Sequence, residues 1–188
     1  MTLHVPPPKP LEILETERLL LRKPAAGDAE AIFRRYSSDP EVTRYMSWAT
    51  HRHLDDTRAF LAWSEGDWAR WPAGSYLAFA RDQNYLLIGG TGLTFKTPEL
   101  AVTGYVLARD AWGNGYATEC LRAMIALARE TRVRRLEAVC HVDHRASAHV
   151  MEKCGMRFEG IVKEHTEFVN LAPGQRLDVR CYALEFWS

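Results

Sequence analysis

The sequence has no excess of either charge: its 188 residues carry 24 Lys and Arg against 24 Asp and Glu. A balanced chain projects no long-range positive field toward nucleic acid or an anionic membrane surface, so any anion it binds is gripped locally. Long apolar runs are missing as well. Stretches such as Leu86 to Ile88 fall far short of the ~20 residues a spanning helix needs, which argues against a membrane protein. The four cysteines, Cys120, Cys140, Cys154 and Cys181, include no C-x-x-C pair, and each falls inside an expected helix or strand. They read as buried free thiols and not as a disulfide framework or a zinc site. His141 and His144 stand close to Cys140, but a metal site wants a second cluster and the sequence offers none. Residues 1–10 contain three successive prolines and no apolar h-region. They read as a disordered or polyproline-like lead-in and not as a signal peptide, which makes the cytoplasm the expected compartment.

What is present suits one globular domain over residues 11–188: 47% hydrophobic residues support one substantial core, and the length is short for two domains. Leu19 to Arg22 fits a short strand ending at Pro24. Ala29, Ile32, Phe33 and Tyr36 recur at helical spacing, Ser38-Asp39-Pro40 breaks that helix, and further helices are expected over Glu41 to Tyr45 and Leu54 to Trp68. Ser75 to Arg81 reads as a strand covered on both faces, with Tyr76, Ala78 and Ala80 on one side and Leu77 and Phe79 on the other. Leu86 to Phe95 and Val102 to Ala108 are β-rich runs separated by Lys96 to Glu99, so three successive antiparallel strands are expected. From Ala117 to Thr131 the apolar positions Ala117, Leu121, Met124, Ile125 and Ala128 describe an amphipathic helix. Arg135 to Val142 alternates into another strand. A helix over Ala146 to Cys154 is stopped by Gly155, and strands over Arg157 to Thr166 and Leu177 to Glu185 complete an α/β order without internal repeats.

Chemistry concentrates in Tyr105 to Glu119, where a strand enters Trp112-Gly113-Asn114-Gly115 and a helix leaves it. Unpaired backbone N–H groups then converge on one spot, reinforced by the helix dipole, and such a spot holds a phosphate or diphosphate. Glycine keeps Cβ atoms away from those amides and permits positive φ. The run lacks the Lys-Ser/Thr ending of a P-loop and the third glycine of a dinucleotide fingerprint. The same residues also suit an ordinary tight turn before a helix. Glu119, favourable to the dipole but opposed to a bound anion, is expected to point away from the turn.

Trp112-Gly113-Asn114-Gly115-Tyr116-Ala117-Thr118-Glu119 resembles the central motif of the GNAT N-acetyltransferases, in their RimJ/RimL-like branch. The resemblance runs from about Leu14 to the C-terminus. It includes Leu14-Glu15-Thr16-Glu17-Arg18-Leu19-Leu20-Leu21-Arg22, Ser38-Asp39-Pro40-Glu41-Val42, Ala146-Ser147, Val150 to Gly160, and Asp178 with Tyr182-Ala183. It implies a single α/β (α+β) domain with a central mixed, mostly antiparallel twisted sheet of about six to seven strands flanked by about four helices. The implied activity is acetyl transfer from acetyl-CoA to a primary amine, either a protein N-terminus or a small molecule. The implied assembly is a monomer or homodimer, with no metal, nucleic acid or membrane partner.

By the same resemblance, Trp112, Gly113, Asn114, Gly115, Tyr116, Ala117 and Thr118 hold the CoA diphosphate, with Trp112 standing where relatives carry Gln or Arg. The backbone of Tyr105, Val106 and Leu107 carries the pantetheine and the acetyl carbonyl. His144 and Ser147 occupy the positions of an Asn-x-x-Ser block. His144 is a candidate donor to the pantetheine arm or a surface loop histidine, and Ser147 is the candidate acid for the departing thiolate or a helix cap. Where many relatives carry a glutamate two residues before Gly104-Tyr105, this chain has Val102. The general base is therefore sought in Glu164 and Glu167, expected on the groove side of a late strand, with Glu99 behind them. Trp48, Trp63, Trp68, Trp71 and Tyr45 fall where relatives build the acceptor site, most as core and some along the groove. A degenerate member that senses acetyl-CoA without turnover is the competing reading.

Overall fold

The computed structural model describes residues 11–186; the proline-rich lead-in lies outside them. The N-terminal half contains β1 (Ile13–Glu15), β2 (Leu19–Arg22), α1 (Ala29–Ile32, continued by a π-helical turn over Phe33–Ser37), α2 (Pro40–Thr43), α3 (Leu54–Trp68), β3 (Ser75–Ala80) and β4 (Leu86–Thr97). There follow β5 (Leu100–Leu107), α4 (Tyr116–Glu130), β6 (Arg135–His141), α5 (Arg145–Lys153), β7 (Arg157–Glu167) and β8 (Arg176–Glu185). All strands join one eight-stranded sheet in the order β1-β2-β3-β4-β5-β6-β8-β7. Every pairing is antiparallel except β5 with β6.

The strand and helix numbers exceed the expected six to seven and about four. The added strand is β1, a three-residue edge piece paired only to β2, too short for alternation to register in the sequence. Among the described residues no helix is long and apolar enough to cross a membrane.

Two cores explain why the sheet reads as apolar on both sides. Leu19, Leu21, Tyr76 and Ala78 pack with Leu121, Met124 and Leu127 of α4. On the other face Leu77 and Leu87 pack with Ala29, Ile32, Tyr36 and Leu61. Burying both faces of β3 ties the two helical layers through a single strand, so its register is strongly specified.

The feature that shapes the molecule is the β5–β6 pair. It has only three rungs, Leu100↔Arg135, Ala101↔Leu136 and Val102↔Glu137. Past them β5 continues along β4 as far as Gly89↔Leu107, while β6 continues along β8 to His141↔Val179. Among the described residues, the β6-facing edge of β5 from Thr103 onward therefore has no strand partner. A bulge in β4 lies beyond this departure, at the Leu107 end of β5: the β3–β4 register shifts at Ala78/Phe79, and such an insertion increases local twist. Gly89 sits there at φ +154, where a Cβ would overlap the Val106 carbonyl, so only glycine lets β5 approach.

Candidate active site

The gap between β5 and β6 opens into a cavity of about 710 Å³. On one side it is lined by Tyr105 and Val106 of β5, Cys140 of β6, and His144 and Ser147 at the start of α5. Leu107, expected beside Tyr105 and Val106, is not in the lining; it is buried, and its carbonyl accepts the indole N–H of Trp112 at 2.8 Å. Tyr105 and Ser147 meet in the gap. Their hydroxyl oxygens are 2.9 Å apart, and the phenol also lies 3.1 Å from the Ser147 carbonyl. Burial holds the Tyr105 phenol well above its ordinary range, against a smaller opposing effect of the Ser147 hydrogen bond. Burial likewise pushes the Cys140 thiol up to about 11. Both side chains are therefore protonated donors at neutral pH.

The opposite wall is aromatic. Tyr45, Trp48, Phe60, Trp63 and Phe168 line it together with His51. Tyr45 stacks on His144 with ring centroids 4.4 Å apart, and Trp48 tilts against His51 at 5.2 Å. The Nδ1 of His51 lies 2.8 Å from the hydroxyl of fully buried Thr57. Burial lowers the pKa of both imidazoles below 6.5; the neighbouring His141 adds to this at His144, while Asp56 opposes it at His51. Trp68 and Trp71 belong to the core instead: Trp68 is buried with its N–H on the Ser75 carbonyl, and Trp71 stacks on Phe95.

After β5 the chain forms an exposed turn over Trp112 to Gly115, with Gly113 at φ +75 and Gly115 at φ +79. Gly115 is the N-cap of α4 and supplies no side chain to it, so the first-turn amides of Tyr116, Ala117 and Thr118 keep their donors for another acceptor. Asn114 folds its amide onto the Trp112 carbonyl at 3.0 Å. Glu119 turns toward the N-terminal strand, accepting from the Thr16 hydroxyl at 2.6 Å and from the backbone N–H and guanidinium of Arg18 at 2.8 Å each. Burial raises its pKa, but these donors outweigh burial and leave it below the ordinary value. Arg18 also donates to the Asn114 carbonyl at 2.9 Å. It sets a guanidinium beside the turn, where Trp112 provides none. Sequence reading gave Arg18 no role, because its partners lie about a hundred residues away.

The structure does not bring the proposed carboxylates to the cavity. Glu164 and Glu167, expected on the groove side, are exposed: the Glu164 N–H donates to Asp178, and the Glu167 carboxylate accepts from the Gly174 N–H at 2.8 Å. Thr166 and Phe168 face inward instead, and alternation turns Glu167 the other way. Glu99 sits in the β4–β5 hairpin, 3.5 Å from Arg134. Sequence reasoning also missed Asn170. Its amide oxygen accepts from the N–H and hydroxyl of Thr50, and its NH₂ donates to the carbonyls of Thr43 and Trp48.

A sheet torn open at its one parallel pair, with a glycine turn feeding an uncapped helix beside the tear, defines an acyltransferase of the N-acetyltransferase fold. The acetyltransferase (GNAT) domain family matches residues 18–157. The chain belongs to that family and is an acetyl-CoA-dependent acyltransferase. It is 30% identical to the uncharacterized N-acetyltransferase YoaA of Bacillus subtilis (strain 168), over 81% of this chain and 87% of that protein. A GNAT-family acetyltransferase from Bacillus anthracis superposes with TM-score 0.79 at 27% identity, covering 92% of this chain and 98% of the other. The RimL ribosomal alpha-N-protein acetyltransferase in complex with coenzyme A superposes with TM-score 0.81 at 22% identity, covering 93% and 98% respectively, a likeness of fold.

Proposed function

We propose that this chain, as one N-acetyltransferase domain over residues 11–188, moves the acetyl group of acetyl-CoA directly onto a primary amine, a protein N-terminus or a small molecule. One observation carries the reading: the β6-facing edge of β5 is left unpaired beyond Val102, the Tyr105–Ser147 hydroxyl pair lies in the gap so formed, and the chain leaving β5 runs into the uncapped start of α4. The amides of Gly113 to Thr118, with the Arg18 guanidinium beside them, suit a diphosphate. The free edge of β5 at Tyr105 and Val106 suits the amide-bearing pantetheine arm. His144 contributes a ring face beside that arm.

An ammonium with pKa near ~10 must lose its proton before its nitrogen attacks the acetyl carbonyl. The lining offers neutral imidazoles, His51 and His144, as proton acceptors in place of a carboxylate. As the nitrogen–carbon bond forms and the carbon–sulfur bond breaks, the departing thiolate takes a proton from Ser147, which Tyr105 supports, and the proton that the nitrogen sheds as it becomes the amide restores the serine hydroxyl. Holding both reactants in one cavity supplies much of the acceleration. The chemistry calls on no metal, the expected compartment is the cytoplasm, and either a monomer or a homodimer fits.

The test is acetyl-CoA-dependent release of free thiol with N-terminal peptides, aminoglycosides, polyamines and simple amines. Amine-dependent release supports transfer. Saturable acetyl-CoA binding without release across the panel makes the chain a sensor.

A further inference from the structure

The aromatic wall of the cavity is also free of charge. Asp, Glu, Lys and Arg make up 26% of the chain, yet none of them is among the described residues that line the cavity. Part of the polar lining is already engaged by the protein itself. The Thr91 hydroxyl donates to the Gly104 carbonyl at 2.8 Å, and that of Thr103 donates to the Gly92 carbonyl at 2.9 Å. The Ser37 hydroxyl is 3.4 Å from that of Thr57, and the Thr166 hydroxyl is 2.7 Å from the His165 ring. Ring surface makes up much of what a guest would meet. Trp63 is 49% exposed and packs against Phe60 on the same face of α3 with centroids 6.2 Å apart.

Resting on the acetyl-transfer reading, we propose that the acceptor is a small primary amine carried on an uncharged aromatic body, whose ring lies against Trp63, Phe60 and Phe168 while its nitrogen reaches the β5–β6 gap. A second ammonium on the acceptor would lose its water here without gaining a counter-ion, which is the costly case for a buried charge. A carboxylate or phosphate on the acceptor meets the same obstacle. An unblocked peptide also carries a C-terminal carboxylate, which meets the same cost. A flat ring asks for none of these partners and gains stacking and desolvation.

The experiment compares 2-phenylethylamine, spermidine and a tripeptide in the thiol-release assay at saturating acetyl-CoA. Expected is a kcat/KM for 2-phenylethylamine at least about 100-fold above that for spermidine, whose second ammonium is buried without a counter-ion. Trp63→Ala should lower kcat/KM for 2-phenylethylamine about tenfold, as loss of an aromatic anchor does, with KM for acetyl-CoA unchanged. Its exposure makes that variant safe to fold. Spermidine or the tripeptide performing as well as 2-phenylethylamine overturns the proposal. Should no amine release thiol, the transfer reading fails separately, and calorimetric titration of 2-phenylethylamine and spermidine into the CoA-loaded protein decides: preference for the aromatic amine sustains the inference, and equal or reversed preference overturns it.

Discussion

Replacing Asn170 by alanine removes one side chain that closes four hydrogen bonds onto the segment Thr43 to Thr50, at 2.9 and 3.1 Å to Thr50, 2.8 Å to the Thr43 carbonyl and 2.9 Å to the Trp48 carbonyl. That segment carries Tyr45, Met46, Ser47 and Trp48 into the cavity wall. Each such bond contributes about 0.5–1.5 kcal/mol net. The site is half-buried, so water replaces part of what is lost, and about 2 kcal/mol is expected in total, which lowers Tm by about 4–8 °C in a protein of this size. Because the segment lines the acceptor side and does not touch the Gly113–Gly115 turn, KM for the amine should rise about tenfold, equivalent to 1.4 kcal/mol, with KM for acetyl-CoA unmoved. Calorimetry and thiol release read both effects. Asn170→Asp keeps the acceptor for Thr50 but turns a carboxylate toward two carbonyls, and should be no better than alanine. An alanine variant with wild-type Tm and wild-type amine KM, or one whose defect lies in acetyl-CoA KM, would refute the clamp.

Gly115→Glu forces a side chain into a φ of +79 and sets a carboxylate where the diphosphate is proposed to lie. Acetyl-CoA affinity measured by titration should fall at least about 30-fold, roughly 2 kcal/mol, and unchanged affinity in a folded variant would move the ligand elsewhere. Ser147→Ala should lower kcat about tenfold, and its combination with Tyr105→Phe about 100-fold, the low end for loss of an acid catalyst. Acetyl-CoA binding should persist in both, and an unaffected double variant would remove the pair from the chemistry. Stability should also depend on pH in a defined window. His51 and His144 have folded pKa values below 6.5, so the unfolded chain binds more protons as pH drops, and Tm should decline as pH falls below 6.5. The lowered carboxylates of Asp28, Asp39 and Glu119 add a further loss below about pH 4. A Tm that is flat between pH 7 and 5 would mean the imidazoles are not held neutral.

The glycine turn and the helix that follows it were legible because their requirements are local. Glycines at positive φ, a helix beginning at once after them and the i, i+4, i+7 pattern of α4 are all written in one run from Gly113 to Glu130, of which Tyr116–Glu130 is the helix itself. The two-faced burial of β3 was legible for the same reason, since Tyr76, Leu77 and Ala78 alternate between cores. The acceptor side was not. Asn170 meets Thr50 across 120 residues, and His51 joins the wall only because α3 folds back over the sheet. Placing Glu164 and Glu167 failed for a different reason. Counting faces along a strand holds only while the register holds, and β7 shifts register between Val162 and Thr166 with Glu164 at φ +48. Past such an irregularity the parity of a position no longer tells which side it faces.

The short ladder between β5 and β6 has a structural corollary. Apart from three rungs and the helices packed over them, the strands that follow α4 form a leaf separate from the leaf of β1 to β5. On the proposed reading, the amide-bearing arm of the donor lies along the margin of β5 and stands in for the missing strand. The substrate then becomes a temporary ninth member of the sheet, and each turnover mends and reopens the same seam.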